Sequence, residues 1–159
     1  MENTFENISP DALWTIIIDH NSRLQHDARW VSPTLLKDNG ENGCQLTVHT
    51  PKPPVPIISQ REMVAEFIYK KNHFGEGKHL ICGKSFEHPD VPIKTGMMDY
   101  VRGTINCWAQ VIEKNPNGEG SLLTEFRNLE MNGSVPTIAV AKMADKVGEM
   151  NYGLWETFI

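Results

Sequence analysis

From Ser134 to Ile159 apolar side chains recur at Val140, Met143, Val147, Met150, Leu154 and Phe158, in steps of three and four residues. That spacing returns each of them to one stripe of a 3.6-residue helix, and Ser134 followed by Pro136 reads as its capped first turn. The pattern predicts one long amphipathic helix of roughly 24 residues, about 36 Å at ~1.5 Å per residue. Upstream the period shortens to that of strands. Thr34 to Lys37 and Cys44 to His49 flank DNGENG, whose two Asn-Gly pairs suit a hairpin turn. Glu62 to Tyr69 and Leu80 to Phe86 follow, then Tyr100 to Asn106, Trp108 to Glu113 and, after NPNGEG, Ser121 to Glu130.

The first thirty residues are different. Thr4 to Ile8 reads as a short strand, and Ser9-Pro10-Asp11 starts a helix over Ala12 to Asp19, with Ser9 as its cap. HNSRLQHDARW adds one or two helical turns, ended by Val31-Ser32-Pro33. TPKPPVPIIS is a proline-rich linker. Runs of antiparallel strands bracketed by helices, with no βαβ alternation and no repeat, indicate an α+β architecture in a single domain over residues 1–159. A curved antiparallel sheet around the long C-terminal helix would bury the helix's stripe and leave room for a cavity.

Composition narrows the function classes. With 159 residues and 40% hydrophobic content the chain can build one core, and a net charge of −5 without a basic block argues against a nucleic-acid partner. A local patch for anionic membranes stays open. Cys44, Cys82 and Cys107 are odd in number and lack CxxC spacing, so they read as buried, reduced thiols of a cytoplasmic protein. The stretch Leu13 to Ile18 is too short to span a bilayer, and the start of the chain has no signal-peptide pattern. No metal site is expected, because His73, His79 and His88 fall on loops without ligand spacing, and no nucleophile motif or cofactor motif is present.

Five stretches, taken in order, carry a resemblance. Ser59-Gln60-Arg61-Glu62-Met63-Val64 is similar to "S-x-R-D-F-V", Lys84-Ser85-Phe86-Glu87-His88-Pro89 to "K-S-V-D-H-P", and Tyr100-Val101-Arg102-Gly103 to "Y-V-R-A". Trp108 matches the tryptophan of the next strand, and Leu129-Glu130-Met131-Asn132-Gly133-Ser134-Val135-Pro136 matches "V-D-L-K-G-S-L-P". Together they resemble the START (steroidogenic-acute-regulatory-related) lipid-transfer domains. The resemblance implies a helix-grip fold, with one lipid held between a curved sheet and a C-terminal lid helix. It also implies a lipid ligand, transient contact with membranes and no catalysis.

Two departures go with it. The family's first helix and opening strands have no counterpart before Glu2, so the sequence is either truncated or a shortened member. A sheet lacking those strands would expose an edge, from which a homodimer is expected. The buried acid and arginine that some sterol-binding members carry on facing strands correspond to Val48 and Phe67 here, which does not support sterol reading by that pair.

Several residues are candidates for the site. Arg61 reads either as a structural tie between loop and sheet or as a phosphate contact. Arg102 shares a strand face with Tyr100 and Thr104; facing inward it would need an anionic headgroup, facing outward a salt bridge. Thr124, Phe126 and Asn128 share one face of the last strand, the one expected to line the cavity. Trp108 is either core or one wall of a choline cage. Met143, Val147, Met150 and Leu154 would supply the helix's apolar wall, and Gly148 and Gly153 make room or permit bending. The loops His73 to Gly77 and Val91 to Met98 present Phe74, Ile93, Met97 and Met98 beside Lys71, Lys78 and Lys94, a membrane-touching set. Two other readings stay open. A helix-grip enzyme of the cyclase or aromatase type would need an ionisable pair in the cavity, for which Arg102 with Glu125 or Glu130 are the available groups. A protein-interaction module with a collapsed cavity is the other.

Overall fold

Alternation of apolar and polar side chains decides which face of each strand is buried, and ladder register then aligns those faces across the sheet. The computed structural model describes residues 1–19, 31–49, 59–94 and 100–133, with backbone alone for 31–33. The elements are β1 (Glu2–Phe5), α1 (Pro10–Ile18), β2 (Val31–Asp38), β3 (Gly43–His49), β4 (Arg61–Lys70), β5 (His79–Ser85), β6 (Val101–Arg102), β7 (Thr104–Lys114) and β8 (Ser121–Glu130). One sheet runs in the order β1-β8-β7-β5-β4-β3-β2, its neighbours antiparallel, and β6 lies parallel to the first residues of β4. The predicted long helix, with the turns read into HNSRLQHDARW, lies outside the described residues.

Directly opposed residues share a face. Cys44 opposes Phe67, Phe67 opposes Gly83, Gly83 opposes Trp108 and Trp108 opposes Arg127. A second row runs Tyr69, Ile81, Gln110, Glu125, and a third His79, Ile112, Leu123, Asn3. These rows carry the core: Cys44, Phe67, Tyr69, Ile81, Trp108, Ile112 and Leu123 are all buried, with Leu46, Val48, Met63 and Ala65 extending the same face on β3 and β4. Fully burying each large side chain is worth roughly 1.5–3 kcal/mol, so this face is the main source of stability. Gly83 is required in the first row, because a Cβ there would stand 2.4 Å from the Phe67 ring.

The first helix forms as its sequence predicts. Ser9 Oγ accepts the Ala12 N–H at 3.3 Å, and Pro10 occupies the first turn, where its missing N–H costs nothing. Leu13, Trp14 and Ile17 face the sheet, and the Trp14 ring meets Tyr69 edge-on at 6.1 Å and His79 at 5.1 Å.

Two expectations need correction, and the expected hairpin at DNGENG gains its turn geometry. The stretch read as two strands around Cys107 is a two-residue β6, a break at Gly103, and then one continuous β7 with a bulge between Ile105 and Cys107. Gly103 is buried against Met63 and Glu130, where a Cβ would be 3.2 Å from the Met63 side chain. The DNGENG hairpin closes through a 3-10 turn at Gly40–Asn42, with Gly40 at φ 60° and its N–H held by Asp38 Oδ1 at 2.7 Å. Of the three thiols only Cys44 is buried; Cys82 is half-buried and Cys107 exposed.

β1 and β2 are the outer strands of the described sheet. β2 is blunted: Pro33 offers no N–H, and the register with β3 shifts between Val31 and Thr34 and again between Leu35 and Lys37. β1 has no proline.

Candidate functional site

The buried face is carbon except at His79, which packs against Trp14, at Ser121, which donates to the Ile8 carbonyl, and at one cluster on β7 and β8. The hairpin that closes Lys114 on Ser121 sets Gln110 opposite Glu125 and Trp108 opposite Arg127, on two neighbouring rungs of one face. Because side chains two apart on a strand share a face, the four converge. Trp108, Gln110 and Glu125 are 1%, 2% and 6% exposed, and the Arg127 side chain is 16% exposed.

Their hydrogen bonding centres on the acid. Glu125 Oε2 accepts from Trp108 Nε1 at 3.1 Å and from Gln110 Nε2 at 2.5 Å, while Arg127 Nε stands 2.8 Å from Glu125 Oε1. The Arg127 guanidinium also lies over the Trp108 ring, 5.5 Å from its centroid, and Phe67 meets that ring edge-on at 5.7 Å. An acid buried in carbon needs this much company: a charge taken out of water is tolerated only when paired and hydrogen-bonded. Both carboxylate oxygens are engaged. One polar atom is not: Gln110 Oε1 is buried and has no hydrogen-bond partner among the described residues.

Trp108 is therefore where the sequence placed it, on the buried face, but its ring already carries a cation from its own chain. Phe126 and Asn128 lie on the other face of β8. Register settles the point, since Arg127 opposes the buried Trp108; the inward set is Leu123, Glu125 and Arg127, leaving Phe126 59% exposed and Asn128 near Asn106 at 3.4 Å. Glu130 accepts from Asn106 at 2.7 Å on that same outer side.

Arg102 and Tyr100 belong to a separate cluster. Arg102 Nη2 is 2.8 Å from Glu62 Oε1 and 3.0 Å from the Val91 carbonyl, and Glu62 alternates with the inward Met63, which puts the pair on the sheet's other face. Tyr100 is exposed and stacks on His49 at 4.2 Å, with His49 Nε2 3.3 Å from Glu62 Oε2. The Arg102 carboxylate partner is thus a protein side chain. Met143, Val147, Met150 and Leu154, with Gly148 and Gly153, lie outside the described residues. Val48 and Phe67 are both inward and apolar.

Sequence reading missed Gln110 and Arg127 as site residues and weighed Glu125 only for catalysis. The signal was present in Trp108-x-Gln110 and Glu125-x-Arg127, two polar or aromatic pairs at strand spacing on either side of NPNGEG. Counting back from that turn places them opposite one another.

Two other features lie elsewhere. A cleft of about 700 Å³ lined by Glu6, Asp11, Glu76, Lys78, Glu113 and Glu119, among others, opens beside the start of α1; its walls are charged and it includes no residue of the polar cluster. Among the described residues no three His, Cys, Asp or Glu side chains gather as metal ligands, and no helix is long and apolar enough to cross a membrane.

No protein-family profile and no curated protein matches the chain. Solved structures match it by shape. Human StAR-related lipid transfer protein 5 superposes with a TM-score of 0.74 at 18% identity, covering 99% of this chain and 75% of that one. The chain has the START fold. Human STARD10 agrees, with a TM-score of 0.74 at 16% identity over 95% of this chain, which spans 60% of the STARD10 chain. So does a STAR-related lipid transfer protein from Xanthomonas axonopodis, with a TM-score of 0.63 at 21% identity, covering 98% of this chain and 79% of that one.

The START fold explains why two of the motif stretches go together. Arg61 is 3% exposed, and its guanidinium donates to the carbonyls of Ser59, Met131 (3.1 Å) and Asn132 (3.0 Å). The first motif thereby ties the end of β8, where the last motif begins. Burial pulls this arginine below its ordinary pKa. Its role is the structural tie, with three protein carbonyls where a phosphate contact was the alternative.

Proposed function

We propose that this protein binds a single lipid against the buried face of its sheet and carries it between membranes without chemistry. One observation carries the reading: in a START fold, the inward face is mostly carbon and, away from His79 and Ser121 near the first helix, carries a hydrogen-bonded polar cluster at Trp108, Gln110, Glu125 and Arg127. Burial of apolar lipid is worth ~25 cal/mol per Å², enough to draw a lipid from a bilayer with no covalent step, and a polar cluster on such a wall is what orients an amphipathic guest. The similar structures, human StAR-related lipid transfer protein 5 and its Xanthomonas counterpart, are lipid transfer proteins and point the same way.

Residues 1–159 act as one domain in this reading, with the apolar stripe Met143, Val147, Met150 and Leu154 as the sequence-expected second wall. Contact with the bilayer falls to the exposed Phe74 and Ile93, flanked by Lys94, on a protein otherwise confined to the cytoplasm. Phe74 at 57% and Ile93 at 60% exposure are large apolar side chains on loops, as transient membrane contacts require. No cofactor and no nucleic acid enters. Glu125 supports binding over catalysis, because both of its oxygens are already held by donors of its own chain.

The test is transfer between vesicles. Labelled phospholipid, sterol and sphingolipid donors are mixed with unlabelled acceptors; at least one class should move faster with protein than without. Transfer of none of the three contradicts the proposal.

A further inference from the structure

Among the described residues two polar atoms of the buried face have no hydrogen-bond partner, His79 Nε2, which lies 3.7 Å from the Asp11 carboxylate, and Gln110 Oε1, which belongs to the cluster on β7 and β8. Gln110 Nε2 lies 2.5 Å from Glu125 Oε2, a separation that a donor and a carboxylate oxygen share readily and two oxygens do not. The acid therefore fixes the orientation of the amide. Its other end, Oε1, is an acceptor, buried with a side chain that is 2% exposed, and it has no donor among the described residues. Its same-face neighbours on the sheet are Ile81, Trp108 and Ile112, and none of them offers a proton, since the Trp108 N–H already points to Glu125. A buried carbonyl left without a donor is disfavoured, and native folds keep very few.

We propose that Gln110 Oε1 receives the O–H of an uncharged alcohol, so that the protein selects a lipid whose polar end is a hydroxyl. This rests on the lipid-binding reading above and names what that site recognises. The neighbouring groups exclude the other headgroup chemistries. A phosphate brought to Gln110 would face the Glu125 carboxylate, to which the Trp108 N–H and one Gln110 N–H already donate. A quaternary ammonium would need the Trp108 ring, over which the Arg127 guanidinium already lies. An ester, ketone or ether brings only acceptors and leaves Oε1 unmatched. A hydroxyl brings the one missing proton, carries no charge to be desolvated, and sits at the end of an apolar body that the surrounding Ile81, Ile112, Phe67 and Leu123 can cover.

Two lipid sources share this chemistry, a sterol and a diacylglycerol, and the experiment separates them. The full chain is titrated against phosphatidylcholine vesicles containing cholesterol or cholesteryl methyl ether, and in a second arm dioleoylglycerol or its 3-O-methyl ether. In the arm that supplies the ligand, the alcohol should bind at least about 10-fold tighter than its ether, because only the alcohol can donate to the buried acceptor. Gln110→Met should retain the ether affinity and bring the ratio close to one. Equal binding of alcohol and ether by the unmodified protein, uptake of phosphatidylcholine alone, or a ratio unchanged in Gln110→Met overturns the inference while lipid binding stands. Binding of no lipid at all overturns both. If Gln110→Met does not fold, the ratio in the unmodified protein decides alone.

Discussion

Glu125 and Arg127, two residues apart on β8, project from the same face of the sheet and form an ion pair of 2.8 Å in which the acid is nearly sealed from water. Within one strand this arrangement is held by backbone geometry alone, so the pair is set as soon as β8 joins β7.

Removing one member leaves the other charged in a carbon setting. Glu125→Gln is expected to lower stability by about 2–3 kcal/mol, because it strips the counter-charge from Arg127 and offers only one acceptor oxygen to the Trp108 and Gln110 donors. Glu125→Gln combined with Arg127→Met should cost less than the sum of the single variants. Urea unfolding of the three proteins measures this; strict additivity would show that the two side chains are not coupled.

Arg61 invites the conservative replacement that ought to fail. Its fork spans the carbonyls of Ser59, Met131 and Asn132, and an ammonium can reach one or two of them but cannot reproduce the planar geometry. Arg61→Lys is expected to cost about 2–3 kcal/mol in urea unfolding, and to increase amide exchange at the end of β8 before it does so in β4. Unchanged exchange at Met131 and Asn132 would remove the tie from the account.

A pH dependence follows from His79. It is fully buried, its Nδ1 accepts the Asn72 N–H at 3.1 Å, and burial holds its pKa below the ordinary value of 6.5, with Asp11 acting the other way and Lys71 adding to the lowering. The unfolded chain then binds a proton that the folded chain refuses, so the contribution is fully present above pH 6.5 and is lost as the pH falls from there toward the folded pKa. The urea midpoint should drop between pH 7.5 and pH 5.5, and drop less in His79→Gln. Equal slopes for the two proteins would show that His79 does not titrate as a buried group.

The edge of the sheet bears on assembly. β2 is blunted by Pro33 and two register shifts, whereas β1 presents a regular strand through Glu2, Asn3 and Thr4, paired on one side to β8. A homodimer is expected to form through β1, and Thr4→Pro, which removes an N–H from that strand, should convert it to monomer. Light scattering at micromolar concentration reads this directly. A monomer in the unmodified protein contradicts it.

What was legible in the sequence was what local pattern controls. The Ser9 cap, the strands at Cys44 to His49, Glu62 to Tyr69 and Ser121 to Glu130, and the order of the five motifs all point to the observed START fold. Face assignment was harder. On β8 the alternation Leu123, Glu125, Arg127 against Thr124, Phe126, Asn128 puts an acid and a base on the buried side and a phenylalanine on the exposed side, so hydrophobicity pointed to the wrong parity. Only register with Trp108 resolves it, and register is a long-range property. The break at Gly103 was hidden for a similar reason, since the close approach of Met63 and Glu130 to Gly103 comes from distant strands.

The central claim is that the buried face accommodates one lipid, and native mass spectrometry of protein purified from cells under non-denaturing conditions tests it most directly. The account predicts a population heavier than the bare chain by the mass of a single lipid, released on gentle activation and identifiable by fragmentation. A preparation that shows only bare chain, and that still takes up no lipid after incubation with mixed vesicles, would contradict it.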